Sequence, residues 1–509
     1  MKNKMFLVIT IIFIAVLVVG ATYSYFAAQV GEGKSTDIEI STNTVDTFSF
    51  AAGDPLKFTA DQFTFAEGGA NISAETYAKA ILTANNKTNT VAEHYYLYLN
   101  ILNNTFGYSQ DSSKPELLLQ ITDKSGNAVT SLTGLEYKTV SNGAGDSISG
   151  FDVTTKNGLI TILNNREITT TSTLEEQWNV TLTFVNYEFN QASNGGKSFS
   201  AKLMIQKGQV LTEYIKAQYN GVQGNNDIYF HDSSLINGAG DNSYRYAGAS
   251  PSNFVCFGSN VSTCPIDNLY RIIGVIDGKV KLIKYDYMTV EELGTDGDYF
   301  QTYKEYGMNS TYKGKYGDGE KIGTYYWNYK SNTSNYKNNW SESLLNKTNL
   351  NTNFINYLKE EWTNKIATTT WKVGGNLFDN IRSVTPAEVY QNEIITPANN
   401  ITYDAKIGLM YVSDYAFAAS SESWTKNMSS YGVEDITTND NWMYMGLYEW
   451  TITRIADNNT QTSFLIMNYG LLVSHSIIVN RGVRAVFSLE PSVSYKSGDG
   501  TFENPIRIN

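Results

Sequence analysis

Histidine, cysteine and proline are scarce in this chain of 509 residues, which holds three, two and eight of them. The histidines, His94, His231 and His475, stand far apart, and neither an HExxH helix nor a CxxC pair occurs. Zinc sites of either kind need those ligands at those spacings, so none is expected. No Gly-x-Ser-x-Gly elbow marks a serine nucleophile. The Gly-rich run Asn237-Gly-Ala-Gly-Asp241 lacks the Lys-Ser/Thr of a phosphate cradle and reads as a turn. Positive charge is also in deficit: 38 Lys and Arg face 50 Asp and Glu, a formal net charge of −12. A nucleic-acid binder needs a basic face to replace phosphate counterions, and that class is set aside.

What is present points to an exported β-rich protein. Apolar residues make up 41% of the chain, enough to build cores, so wholesale disorder is excluded. Tyrosine (36) and glycine (40) are abundant, and with Asn, Ser and Thr they give a strand-and-turn texture. At the N-terminus Lys2 and Lys4 precede a run with no charged residue between Met5 and Gly31. Lysines on that side alone orient the run N-in and deliver the rest outside the membrane. It is long enough to span about 30 Å of hydrocarbon. Small residues after Thr22-Tyr23-Ser24 equally suit a cleavage region, so residues 1–27 are a signal peptide or a retained anchor. Membrane contact is expected only through residues 5–27, if they are uncleaved. No LPxTG-type sorting signal follows, so attachment is expected from the N-terminal segment, from polymerisation, or not at all.

Cys256 and Cys264 bracket a short segment containing Gly258 and Asn260. In an exported chain this predicts a local structural disulfide contributing about 2–3 kcal/mol.

Residues 28–207 read as all-β. Val91, Glu93, Tyr95, Leu97, Leu99 and Ile101 recur at the period of a strand with two faces. Glu116 to Thr122 is a second strand. Trp178, Val180, Leu182 and Phe184 mark a third, and Phe199, Ala201, Leu203 and Ile205 a fourth. The last two are expected to pair as a long hairpin. Ala74 to Ala84 is ambiguous between helix and strand. Together these predict a β-sandwich.

Gly20 to Phe26 closely matches the end of signal sequences handled by the specialised peptidase of Gram-positive biofilm operons. With the extended segment Ser35 to Ala51 and the strands Trp178–Val185 and Ser198–Lys207, residues 1–207 resemble the TasA/camelysin family of secreted matrix proteins. The resemblance implies a jelly-roll sandwich and self-association by strand donation into a neighbour's sheet edge. The candidate donor lies within residues 28–51, where Ile38, Ile40, Phe48 and Phe50 carry the apolar side chains. Pairing of this segment within its own domain is the alternative. Family members have been described as metalloproteases, but with His94 the only histidine here that activity is not carried over.

Residues 208–225 predict one short amphipathic helix and a Gly/Asn linker. Composition then shifts: Trp327, Trp340, Trp362, Trp371, Trp424, Trp442 and Trp450 all follow, marking a second domain at 226–509. Leu269–Ile276, Asp277-Gly278 and Lys279–Lys284 read as a hairpin on a tight turn. Residues 353–367 predict one amphipathic helix with Phe354, Tyr357, Leu358, Trp362 and Ile366 on one face, and Thr385-Pro386-Ala387-Glu388 a capping box. Lys406–Val412 and Gly482–Leu489 read as strands.

This order is similar to extracellular domains of C-type-lectin-like or formylglycine-generating-enzyme-like fold. The pieces are Tyr270-Arg-Ile-Ile273, the spacing of Trp340, Ser343, Leu344, Leu350 and Phe354, Trp450 with Arg454, and Gly482–Leu489, where Ala485 replaces the usual Pro. The resemblance implies an α+β domain. Formylglycine-generating enzymes use C-terminal cysteines, whereas these sit at the domain's start, so that activity is not carried over.

His231 and His475 read as loop or surface residues, and Glu291 and Glu292 as solvated. Asp296-Gly297-Asp298 offers oxygens to Ca²⁺ but lacks the further acids of a calcium loop and reads as a turn. No catalytic residue, metal or cofactor is assigned. Trp424, Trp442, Tyr444, Tyr448 and Tyr469 are candidate ligand contacts, since aromatic faces stack on sugars, with core packing as the competing role. The expectation is an extracellular surface or biofilm-matrix protein of a Gram-positive bacterium, binding a glycan or protein. An extracellular enzyme on cell-wall or host glycans is the alternative, because paired catalytic acids need no local motif.

Overall fold

The computed structural model describes residues 46–60, 71–84, 90–306, 312–317, 319–331, 337–432, 440–456 and 461–509. The N-terminal apolar run, with Ile38 and Ile40, lies outside them. Among the described residues no helix is long and apolar enough to cross a membrane. The protein is β-rich and multidomain, and its sheets are antiparallel. It divides between Gln209 and Val210 into two compact units, so the helix Leu211–Tyr219 belongs to the second.

The first unit contains β1 (Thr47–Ala52), β2 (Leu56–Thr59), β3 (Ile72–Thr83), β4 (Val91–Asn104), β5 (Leu117–Asp123), β6 (Tyr137–Ser141), β7 (Ser147–Asp152), β8 (Gly158–Thr170), β9 (Thr173–Phe184) and β10 (Ser198–Gln206). Six form one sheet in the order β1-β3-β9-β5-β7-β6, and four the other, β2-β10-β4-β8. From β2 to β5, and again from β7 to β10, each connection passes from one sheet to the other. This is the double-sheet jelly roll. Its core is built by period-two alternation: Leu97 and Leu99 of β4 and Leu203 and Ile205 of β10 meet Val180 and Leu182 of β9 and Leu119 of β5.

Three expectations resolve here. Ala74–Ala84 is strand, because β3 is hydrogen-bonded along its length to β9 and along half of it to β1, and this outweighs the helical preference of its alanines. The hairpin expected of β9 and β10 does not form. β9 pairs with β3 and β5, β10 with β2 and β4, and their apolar faces oppose each other across the sandwich. Phe48 and Phe50 lie on β1, which pairs within its own unit, and both rings sit 6.2 Å from Tyr95. That half of the candidate donor segment already completes its own sandwich.

The second unit centres on a sheet of β11 (Ile228–His231), β12 (Ser243–Tyr246), β14 (Leu269–Ile276), β15 (Lys279–Lys284) and the strand Val486–Ser488, with β13 (Phe254–Cys256) also beside β14. Asp277 and Gly278 take φ of 50° and 69°, as a two-residue turn between twisted strands requires. Gly274 lies where an added Cβ would stand 2.1 Å from the Tyr244 carbonyl oxygen, so β12 can approach β14 only at glycine. Cys256 and Cys264 are joined in a disulfide.

The helix expected over 353–367 is broken. A wide helical turn at Leu345–Phe354 runs into Ile355–Tyr357, Leu358 and Lys359 are extended, and Glu360–Thr363 forms a separate turn. Phe354, Leu358, Trp362 and Ile366 are still buried, but Tyr357, expected on the same face, is exposed. Residues 406–412 do not form a ladder strand either. Their backbone is served piecemeal: the Asn351 amide brackets Ile407, Gly408 bridges Val486, and the Met410 carbonyl accepts from Ile452. The Thr385 capping box and Pro386 at the first helical position form as expected.

Candidate functional site

Three of the six residues of β15 are lysines, and two of them, Lys281 and Lys284, are buried. Lys281 is buried, and its ammonium donates to Asp414 Oδ2 at 2.5 Å and lies 4.7 Å from the Tyr411 ring centre. Asp414 opens the helix Val412–Phe417, where its carboxylate also accepts the Tyr411 N–H at 2.9 Å. From β12, Arg245 enters the same region. Its Nη2 donates to Asp241 at 2.7 Å, its Nε to Ser243 Oγ at 2.8 Å, and its guanidinium stacks 5.2 Å from the Tyr390 ring centre. Nη1 lies 3.7 Å from Asp414 Oδ1, beyond hydrogen-bond range.

Electrostatics follow from this burial. Burial pushes the Asp241 carboxyl up, but the Arg245 charge beside it wins and holds it below the usual range. Burial lowers the Lys281 ammonium, and the Asp414 charge opposes this. Glu393 accepts the N–H groups of Val412 and Ser413 at 3.1 and 3.2 Å, from behind the same helix turn. Burial, with the Asp414 charge acting in the same direction, pushes it up to about 7.

A cavity of about 270 Å³ opens onto this cluster. Arg245, Lys281 and Asp414 lie in its wall together with the rings of Trp371, Tyr390 and Tyr411. Lys279, Lys372 and Asp277 stand at its more exposed mouth. Thr369 also lines it, with a buried hydroxyl that has no hydrogen-bond partner. Such a pocket, part aromatic and part convergent polar groups, is the arrangement that small-ligand sites take. Two other cavities, about 280 and 250 Å³, lie around Arg454 and around Arg507, and neither contains a buried ion pair.

The residues singled out in the sequence fall elsewhere. Trp424, Trp442 and Tyr444 are buried in the core of the second unit, which corrects their candidacy as ligand contacts. Large apolar rings gain more from burial than from exposure, and the Trp424 and Trp442 N–H groups are satisfied by the carbonyls of Ala419 and Tyr246. Tyr448 is half-buried under Arg481, and only Tyr469 of the five is exposed. His231 is not a loop or surface residue. It ends β11 fully buried, its Nδ1 accepting the Ala239 N–H at 3.0 Å and its ring against Phe417 and Trp424. Glu292 is not solvated either: it caps its helix with Thr289 and pairs with buried Lys284 at 2.9 Å. Among the described residues no cluster of His, Cys, Asp and Glu could hold a metal. Nothing in the sequence marked the pocket, because Lys281 is one of three lysines in a six-residue strand.

No family model matches the chain, and a search of curated proteins found no match. Among solved structures, the VP2 subviral particle of infectious bursal disease virus is similar at 14% identity and a TM-score of 0.13. That match covers 35% of this chain and 36% of the other, and likeness at this level carries no argument.

Proposed function

We propose that the protein is an exported, non-enzymatic surface or matrix protein of a Gram-positive bacterium. Its first unit is a TasA-like sandwich that associates with itself, and its second, C-type-lectin-like unit binds a glycan or protein ligand. The Cys256–Cys264 bridge supports an oxidising compartment. The observation that carries the binding role is the pocket at Arg245 and Lys281, where two buried cations and an unpartnered threonine hydroxyl meet three aromatic rings. The enzymatic alternative gains no support there, because Asp414 is tied to Lys281 and to the Tyr411 N–H rather than available as an acid or base.

The test is binding of the intact chain to a glycan array, beside Thr368→Trp, which places an indole at the pocket's exposed edge. Selective binding that the substitution abolishes supports the reading. Binding that survives it moves the ligand site elsewhere, and hydrolysis of any arrayed glycan favours the enzyme.

A further inference from the structure

We propose that the pocket bounded by β15 and the strand Thr369–Lys372 takes a small carboxylate-bearing ligand the size of one acidic sugar residue. This rests on the reading of that pocket as the ligand seat. The argument begins with hydrogen-bond donors. A guanidinium carries five N–H groups and an ammonium three. Arg245 uses Nε and one N–H of Nη2 on Ser243 and Asp241, and its Nη1 stops 3.7 Å short of Asp414. Lys281 directs one N–H to Asp414 and otherwise faces the Tyr411 and Trp371 rings. Both are over nine-tenths buried and both line the cavity. A charged donor left short of acceptors in a buried place is costly, and an entering carboxylate supplies two acceptor oxygens.

Charge balance sets the class of anion. Deep in the wall Arg245 and Lys281 are met by Asp241 and Asp414, with the Glu393 carboxyl behind the same helix turn, so the inner cluster carries no excess of positive charge. At the mouth Lys279 and Lys372 face Asp277 alone, an excess of one positive charge. That matches a monoanion better than a phosphate dianion. The rest of the lining selects an organic ligand over a hydrated ion, since Ile276, Ile394 and the three aromatic rings leave a partly apolar wall. A volume of about 270 Å³ has room for one sugar ring rather than a chain.

The experiment is calorimetric titration of the intact chain at low salt with glucuronate, glucose and inorganic phosphate, repeated on Thr368→Trp and on the double variant Lys279→Gln/Lys372→Gln. Lys279 and Lys372 are partly exposed at the mouth, so their neutralisation leaves the fold intact. The expected result is binding of glucuronate, weaker by about tenfold or more in the double variant, which removes the mouth's excess positive charge. Glucose and phosphate bind more weakly by a similar factor, and Thr368→Trp abolishes the glucuronate signal. Glucose binding as tightly as glucuronate, and lost in Thr368→Trp, overturns the carboxylate while leaving the pocket as ligand seat. Phosphate binding as tightly as glucuronate overturns it as well. Failure of all three to bind overturns the proposal, and the pocket reading falls with it only if array binding survives Thr368→Trp.

Discussion

His231 shows how one buried side chain couples the second unit to pH. Burial, aided by the nearby Arg245 charge, pushes its imidazole down to about 3, whereas the unfolded chain takes up that proton near pH 6.5. Folded-state affinity for the proton is the weaker, so the neutral ring's contribution is complete above about pH 6.5 and is lost as pH falls towards 3. Glu393, pushed up to about 7, works in the other direction: its contribution is complete below about pH 4.5 and is lost as pH rises through 7. His231→Asn keeps an acceptor for the Ala239 N–H and removes the titration. Urea midpoints between pH 7 and pH 4 are expected to fall less for this variant than for the parent, and equal slopes would disprove the assignment.

At the scale of elements, Asp298 is the informative case. The sequence offers it as part of a turn with a remote claim on Ca²⁺. The turn is there, but the buried carboxylate accepts the backbone N–H groups of Tyr329 and Lys330 at 3.1 and 2.8 Å and of Leu344 and Leu345 at 3.0 and 3.1 Å. It thereby holds the head of the helix Leu345–Phe354 and the end of the preceding loop. Asp298→Ala strands four donors, and the second unit is expected to lose about 3 kcal/mol or more in urea unfolding, with Asp298→Asn recovering part. Elements whose signals are local were legible: the Asp277-Gly278 hairpin, the Thr385 cap, and β4 and β5. The break at Leu358 and the irregular path of residues 406–412 were not. An amphipathic period reports most of the buried residues, since Phe354, Leu358, Trp362 and Ile366 are buried and Tyr357 of the same expected face is exposed, but it does not report the backbone path.

For the whole molecule, the pairing of β1 with β3 decides which truncation can test self-association. Removing residues 28–51 would strip most of β1 from its own sandwich and expose β3 as an edge, mixing loss of a donor with loss of stability. A chain beginning at residue 46 keeps β1 and, of the four candidate donor residues, removes only Ile38 and Ile40. Light scattering of chains from residue 28 and from residue 46 is expected to show concentration-dependent oligomers only for the longer one. Monomers in both would end the strand-donation reading and leave the second unit as the seat of function.

Interactions close in sequence were readable before any fold was known. Period-two alternation marked the strands of the sandwich, seven intervening residues marked the disulfide, and the shift in tryptophan marked a second domain, expected from residue 226 where the compact unit begins at Val210. Each depends on chain stiffness, short loops or the water-aversion of a nearby face. Sheet order is another matter, because β9 and β10 are adjacent in sequence yet lie in opposite sheets. The pocket is the extreme case: Lys281 and Asp414 stand 133 residues apart, and only the packing of β15 against the helix Val412–Phe417 brings ammonium and carboxylate together. Burial then makes that pair a chemical feature, since the low dielectric around it strengthens every charge it leaves uncompensated.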